Sequence, residues 1–252
     1  MKRSGYRCAL LLLPTVLTLF AAAAAGLTQD PAMKPRYFMS VFAYETNPRA
    51  PQSAHTFATF VKTEGKKFEA HTISWLPKSD DIKLLKRPEA GVNLDLKTTL
   101  EKARATEAKV TEWGPYEIKP ELYQRALKQI ELLNSGRVLY KAIDRAPRPG
   151  MDVSNCIHAV MEVDPDGGRV LTGAQFGVDA SEAVVEHLAK WTIDPKKVHP
   201  EINEKLGLGK GIKLQSKTPP KRLNHRDTEA QRRQTTDSLA RATRNPRKTD
   251  HG

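Results

Sequence analysis

Apolar, aromatic and β-branched residues run almost unbroken from Tyr37 to Tyr44, a pattern that predicts a buried strand. Residues 45–53 carry two prolines, Pro48 and Pro51, and read as a loop. A second strand is predicted over His55–Lys62 and a third over Phe68–Leu76, stopped by Pro77. The turn signal Glu64-Gly65-Lys66 between them predicts an antiparallel hairpin. Spacing then changes to the helical period. Thr98–Lys109 predicts a charged surface helix. Over Pro120–Leu133 the residues Leu122, Ala126, Leu127, Ile130 and Leu133 form an apolar stripe, with Pro120 suited to the first turn and Gly136 to the end. A short extended stretch is expected over Val138–Ile143 and a Pro/Gly-rich loop over Ala146–Gly150. A helix from Cys156 to Val163, a strand over Arg169–Val178 and an amphipathic helix over Ala180–Trp191 complete the pattern. Strands, then helices, then strand and helix predict an α+β fold.

The two ends of the 252-residue chain differ from this middle. Met1-Lys2-Arg3 opens a basic stretch closing at Arg7, and an apolar run from Ala9 ends in five alanines at Ala25. That layout predicts a secretory signal peptide over residues 1–26 and an exported protein (periplasmic, cell surface or secreted), a retained anchor being the alternative. The formal net charge is +12, and from Lys210 to Gly252 there are 12 Lys or Arg against 4 Asp or Glu, or +8. With no aromatic residue to bury, residues 207–252 are expected to be a disordered basic tail. Its charge favours acidic envelope polymers or a membrane surface. Nucleic acid is disfavoured, because no stacking aromatics interleave with the basic residues. Residues 34–206 remain as one α+β domain.

Cleavage of the signal peptide would remove Cys8 and leave Cys156 as the single cysteine, unable to form an internal disulfide. Cys156 lies in Ser154-Asn155-Cys156-Ile157-His158. Ser154 and Asn155 are good N-cap residues, which would put the sulfur in a first helical turn where thiolate is favoured. His55 or His71 would supply an imidazole as base, and the other would fix its tautomer. A turn centred on Glu64-Gly65 is expected to place both rings on one sheet face as diagonal neighbours, and a slip of one position to separate them.

His55 opening a strand, His71-Thr-Ile-Ser on the next, then a helix, Tyr140 and Asn155-Cys156-Ile157-His158 resemble the circularly permuted papain-like group. That group includes the lecithin:retinol acyltransferase-like enzymes and permuted NlpC-type hydrolases. Ile157 and Ala159 stand where the acyltransferase branch has glutamate and phenylalanine. The resemblance covers roughly residues 50 to 165. It implies a permuted papain-like fold with an antiparallel sheet packed against helices. It also implies Cys156 as nucleophile, His55 as general base, His71 as its orienting partner and His158 as structural. The implied chemistry is acyl transfer or hydrolysis of an amide or ester through a thioester, with no cofactor. An acidic envelope polymer or a lipid ester or amide would be the substrate.

Two other readings stand beside it. The chain would be a non-catalytic envelope-binding relative of the same fold, or a secreted zinc protein using Cys156, His55 and His71 with His158 as a fourth ligand. Trp75, Trp113 and Tyr116 are expected in the core or lining a cleft, His187 in packing, and Asp95 and Asp152 in no carboxylate pair.

Overall fold

The computed structural model describes residues 34–85, 87–144, 152–167, 176–208 and 214–217. The expected signal peptide, the loop at 146–150, the 169–175 part of the predicted strand and the chain beyond 217 lie outside the described residues. The strands are β1 (Arg36–Glu45), β2 (Ala54–Glu64), β3 (Lys67–Ile73), β4 (Trp75–Pro77), β5 (Glu89–Asn93), β6 (Lys109–Ile118), β7 (Leu139–Tyr140), β8 (Val153–Ser154) and β9 (Leu214–Lys217). The helices are α1 (Leu96–Ala105), α2 (Pro120–Asn134), α3 (Cys156–Met161), α4 (Gly177–Leu188) and α5 (Pro200–Lys205). Five strands form one sheet in the order β3-β2-β1-β6-β9, and four form a second in the order β4-β5-β7-β8. Pairing is antiparallel except for β6 with β9 and β7 with β8. The fold is mixed α+β, with antiparallel-rich sheets packed against helices.

Both faces of the larger sheet are covered, which is why β1 and β2 read as continuous apolar runs rather than alternating ones. Met39, Val41, Ala43, Ala58, Phe60 and Trp113 face α2, α3 and α4 in the main core. Phe42, Tyr44 and Phe57 face α1 through Leu100 and Ala103, and Phe38 and Val61 meet Ile202 of α5. The predicted stripe of α2 enters the main core through Leu122, Ala126 and Leu133, with Leu127 and Ile130 partly buried beside it.

The hairpin register overturns the shared face expected for His55 and His71. Glu64 pairs with Lys67 across a Gly65-Lys66 turn, and Phe60 pairs with His71. Gly65 takes a positive φ of 56°, the left-handed conformation such a turn needs. Any two-residue turn makes partner numbers sum to an odd value, so two odd-numbered residues on opposite strands fall on opposite faces. This holds for a turn at Glu64-Gly65 as well as for the observed one.

Three other elements depart from the sequence pattern. The predicted third strand breaks at Ser74, where Asn93 accepts the Ser74 N–H at 2.8 Å and donates to the Thr72 carbonyl at 2.9 Å. Trp75–Pro77 then joins β5 in the second sheet. The helix expected to reach Lys109 ends at Ala105, and β6 begins at Lys109, where the helix was to end, the sheet absorbing Gly114-Pro115 through an irregularity opposite Met39 and Val41. Leu214–Lys217, expected within the disordered tail, pairs with the open edge of β6, and Leu214 packs on the α1-facing core.

Candidate active site

The structure brings Cys156 to the strand that carries His55. Cys156 is the first residue of α3, capped by Asn155, whose Oδ1 accepts the N–H groups of Ile157 and His158 at 2.9 and 2.8 Å. Asn155 is itself fixed by Asp144. The two carboxylate oxygens accept the Asn155 N–H at 3.1 Å and Nδ2–H at 3.0 Å, and also take His158 Nδ1 at 2.7–2.8 Å. His158 is thus held in a buried network beneath α3.

β3 ends at Ile73 opposite Ala58, so the first residues of β2 have no strand beside them on that side. The sulfur of Cys156 lies near this stretch, close enough to the Thr56 backbone N–H for that dipole to favour a thiolate. Thr56 is anchored from the other direction, its hydroxyl lying 2.9 Å from Ser181 Oγ of α4.

His55, the neighbour of Thr56, is wholly buried on the α1-facing side, stacked on Phe57 and set against Tyr44, its cross-strand partner, at 5.2 Å between ring centroids. Its Nε2 lies 2.9 Å from Ser74 Oγ, and its Nδ1 is buried without a partner. Tyr44 and Tyr140 lie close enough to Cys156 for a thiolate there to raise both phenol pKa values, after burial as the larger cause.

His71 is elsewhere. It pairs with Phe60, four residues or roughly 13 Å along β2 from Thr56, and its ring stands 6.1 Å from that of Tyr123. The residue that holds Nε2 of His55 is Ser74, not His71. Sequence reasoning did not find Ser74, although one small hydroxyl inside the apolar run Ile73-Ser74-Trp75-Leu76 was a usable signal. Tyr44 and Asp144 had no such signal. Trp75, Trp113 and Tyr116 are buried core residues, Asp95 caps α1, and His187 bonds the Asp164 carbonyl at 3.2 Å.

Electrostatically the two central groups are neutral at rest. Burial, reinforced by the Asp144 charge, pushes the Cys156 thiol up to about 11 against the N–H groups of Thr56, Cys156 and Ile157. Burial first, and the Lys102 charge second, push His55 down to about 3. A thiol and a neutral imidazole can carry out general-base chemistry, in which the proton leaves sulfur only as it attacks. Among the described residues no three His, Cys, Asp or Glu side chains converge as ligands, and His71 stands apart from the other two ligands of the zinc reading.

Comparison with known protein families, characterised proteins and solved structures finds no match for this chain.

Proposed function

We propose that this protein is an exported cysteine-dependent hydrolase or acyltransferase of the permuted papain-like kind, acting on an amide or ester. One observation carries the reading: Cys156 opens α3 near the backbone of Thr56, next in sequence to His55, whose Nε2 is held by Ser74 and whose Nδ1 is buried and unpartnered. Cys156 attacks the acyl carbon and its proton passes to Nδ1 of His55. The S–C bond forms, the bond to the leaving group breaks, and His55 returns the proton to that group. Water or an acceptor alcohol or amine then cleaves the thioester. The order of His55 strand, helix and Cys156 helix against an antiparallel sheet also supports this reading. An acidic envelope surface, reached through the basic C-terminal sequence, is the setting we propose.

The raised thiol pKa favours a second reading, a non-catalytic relative that binds an envelope partner. Labelling with 4-nitrophenyl acetate separates the two. The catalytic reading expects a burst of one nitrophenolate per chain, abolished in Cys156→Ala and slowed strongly in His55→Gln. A burst that survives in Cys156→Ala, or a wild-type protein that shows none while iodoacetamide alkylation rises only towards pH 11, overturns it.

A further inference from the structure

β3 is an edge strand of the larger sheet, paired with β2 alone. The tight turn decides which of its backbone groups are left open. In a hairpin closed by two residues the flanking pair, here Glu64 and Lys67, exchanges hydrogen bonds, and bonded and non-bonded pairs then alternate. Phe68, Ala70 and Thr72 therefore turn their N–H and C=O groups away from β2. Asn93 reads the same parity, since its carboxamide bonds the Thr72 carbonyl and the Ser74 N–H from the outer side, as a neighbouring strand would. The Leu94 N–H donates to the Ser74 carbonyl there at 3.0 Å. Short of that covered end, the N–H and C=O groups of Phe68 and Ala70 and the Thr72 N–H have no partner among the described residues.

The same three residues share one face of the strand and line a groove of about 490 Å³ between β3, α1 and the end of α5. Ala70, the smallest of them, stands between Phe68 and Thr72, and Leu96, Leu100 and Leu206 supply apolar walls. Lys97, Arg104 and Lys205 line the groove against Asp95 and Glu101. Asp95 already accepts the Thr98 N–H as a helix cap, so the surplus charge is positive. We propose that β3 is a docking edge for an extended acidic peptide, which adds a further strand to the sheet and lays alternate side chains, one apolar between two acids, into this groove. The open backbone groups supply the pairing, the leucine walls receive the apolar side chain, and the cations meet the acids. On this face β3 has no charge, proline or bulge of the kind that keeps an edge from pairing. The proposal is independent of the cysteine chemistry.

The test uses the full chain and a fluorescein-labelled peptide, Gly-Glu-Thr-Leu-Thr-Glu-Gly amide, read by fluorescence anisotropy. Two derivatives carry the same charge, one N-methylated at both threonines and the other at the leucine and the second glutamate. An added strand turns alternate N–H groups to β3, so one derivative should bind about tenfold or more weaker than the parent and the other nearly as the parent does. Ala70→Pro removes an outward N–H without touching the ladder with β2. It should weaken the parent peptide to a similar degree with little change in the urea midpoint. Equal binding of the two derivatives would mean that charge alone attracts the peptide, and overturns the proposal. So does unchanged binding by a folded Ala70→Pro chain, or a parent peptide that shows no saturable binding up to about 1 mM. An edge already closed by a second copy of the chain would give that last result. The derivative pair needs no variant, so an Ala70→Pro chain that fails to fold leaves the test in force.

Discussion

Asp144 grips His158 at 2.7 Å with both side chains buried, and the same carboxylate secures the residue immediately before the cysteine. The first turn of α3 therefore rests on one acid. Asp144→Asn keeps the shape but weakens the hydrogen bonds from His158 and Asn155 that the carboxylate now accepts. We expect a loss of roughly 3 kcal/mol in urea unfolding. In the folded fraction the Asp144 charge that helps raise the thiol is gone, so the pH midpoint of Cys156 alkylation should move down. An unchanged midpoint would separate Asp144 from the sulfur electrostatically.

His55 sets an acid limit. Its folded pKa, about 3, lies below the ordinary value of 6.5, so the unfolded chain binds more protons between the two. The stabilising preference for neutral His55 is fully present above about pH 6.5 and drains away as pH falls towards 3. At the low end this amounts to several kcal/mol at about 1.4 kcal/mol per pKa unit. His55→Phe should flatten the stability profile between pH 6.5 and 4, read from urea midpoints. A variant as acid-labile as the parent would refute this.

Glu112 works with the opposite sign. It is wholly buried, its Oε2 accepts from Asn203 Nδ2 at 2.7 Å and its Oε1 has no partner. Burial pushes it up to about 7 from 4.5, with Ser40 and Asn203 opposing. The folded state thus holds the extra proton, and stability falls as pH rises from about 4.5 to 7, by roughly 3 kcal/mol. Glu112→Gln should remove this slope and be more stable than wild type at pH 8. Parallel profiles for the two proteins would show that Glu112 does not titrate in that window.

Gly91 makes room for a tryptophan. A methyl group there would lie 2.0 Å from the Trp75 ring, which is buried and has no open side to move into. Gly91→Ala should cost about 1–3 kcal/mol by overpacking, with the near-ultraviolet circular dichroism of the ring altered. Wild-type stability in that variant would mean the ring tilts freely.

The elements most legible in the sequence were those with one strong pattern: the aromatic run of β1, the Gly65 hairpin and the stripe of α2. The strand β6 was hidden because Trp113-Gly114-Pro115 reads as punctuation, and only pairing with β1 on one side and β9 on the other reveals it as a strand inside the sheet. Of the three residues proposed for the site, Cys156 lies by the start of the strand that carries His55, and His71 is paired farther along that strand. Parity of a two-residue turn put the two histidines on opposite faces of the sheet, and parity is computable from sequence once the turn residues are fixed. Ser74 owes its place to a strand break held by Asn93, a contact between residues 19 apart that no local pattern encodes.

β9 closes the free edge of β6 and sets Lys217 three strand spacings, about 14 Å, from the strand holding His55. On the function proposed above, a polyanion gripped at that edge and a bond turned over at Cys156 would occupy separate sides of one body.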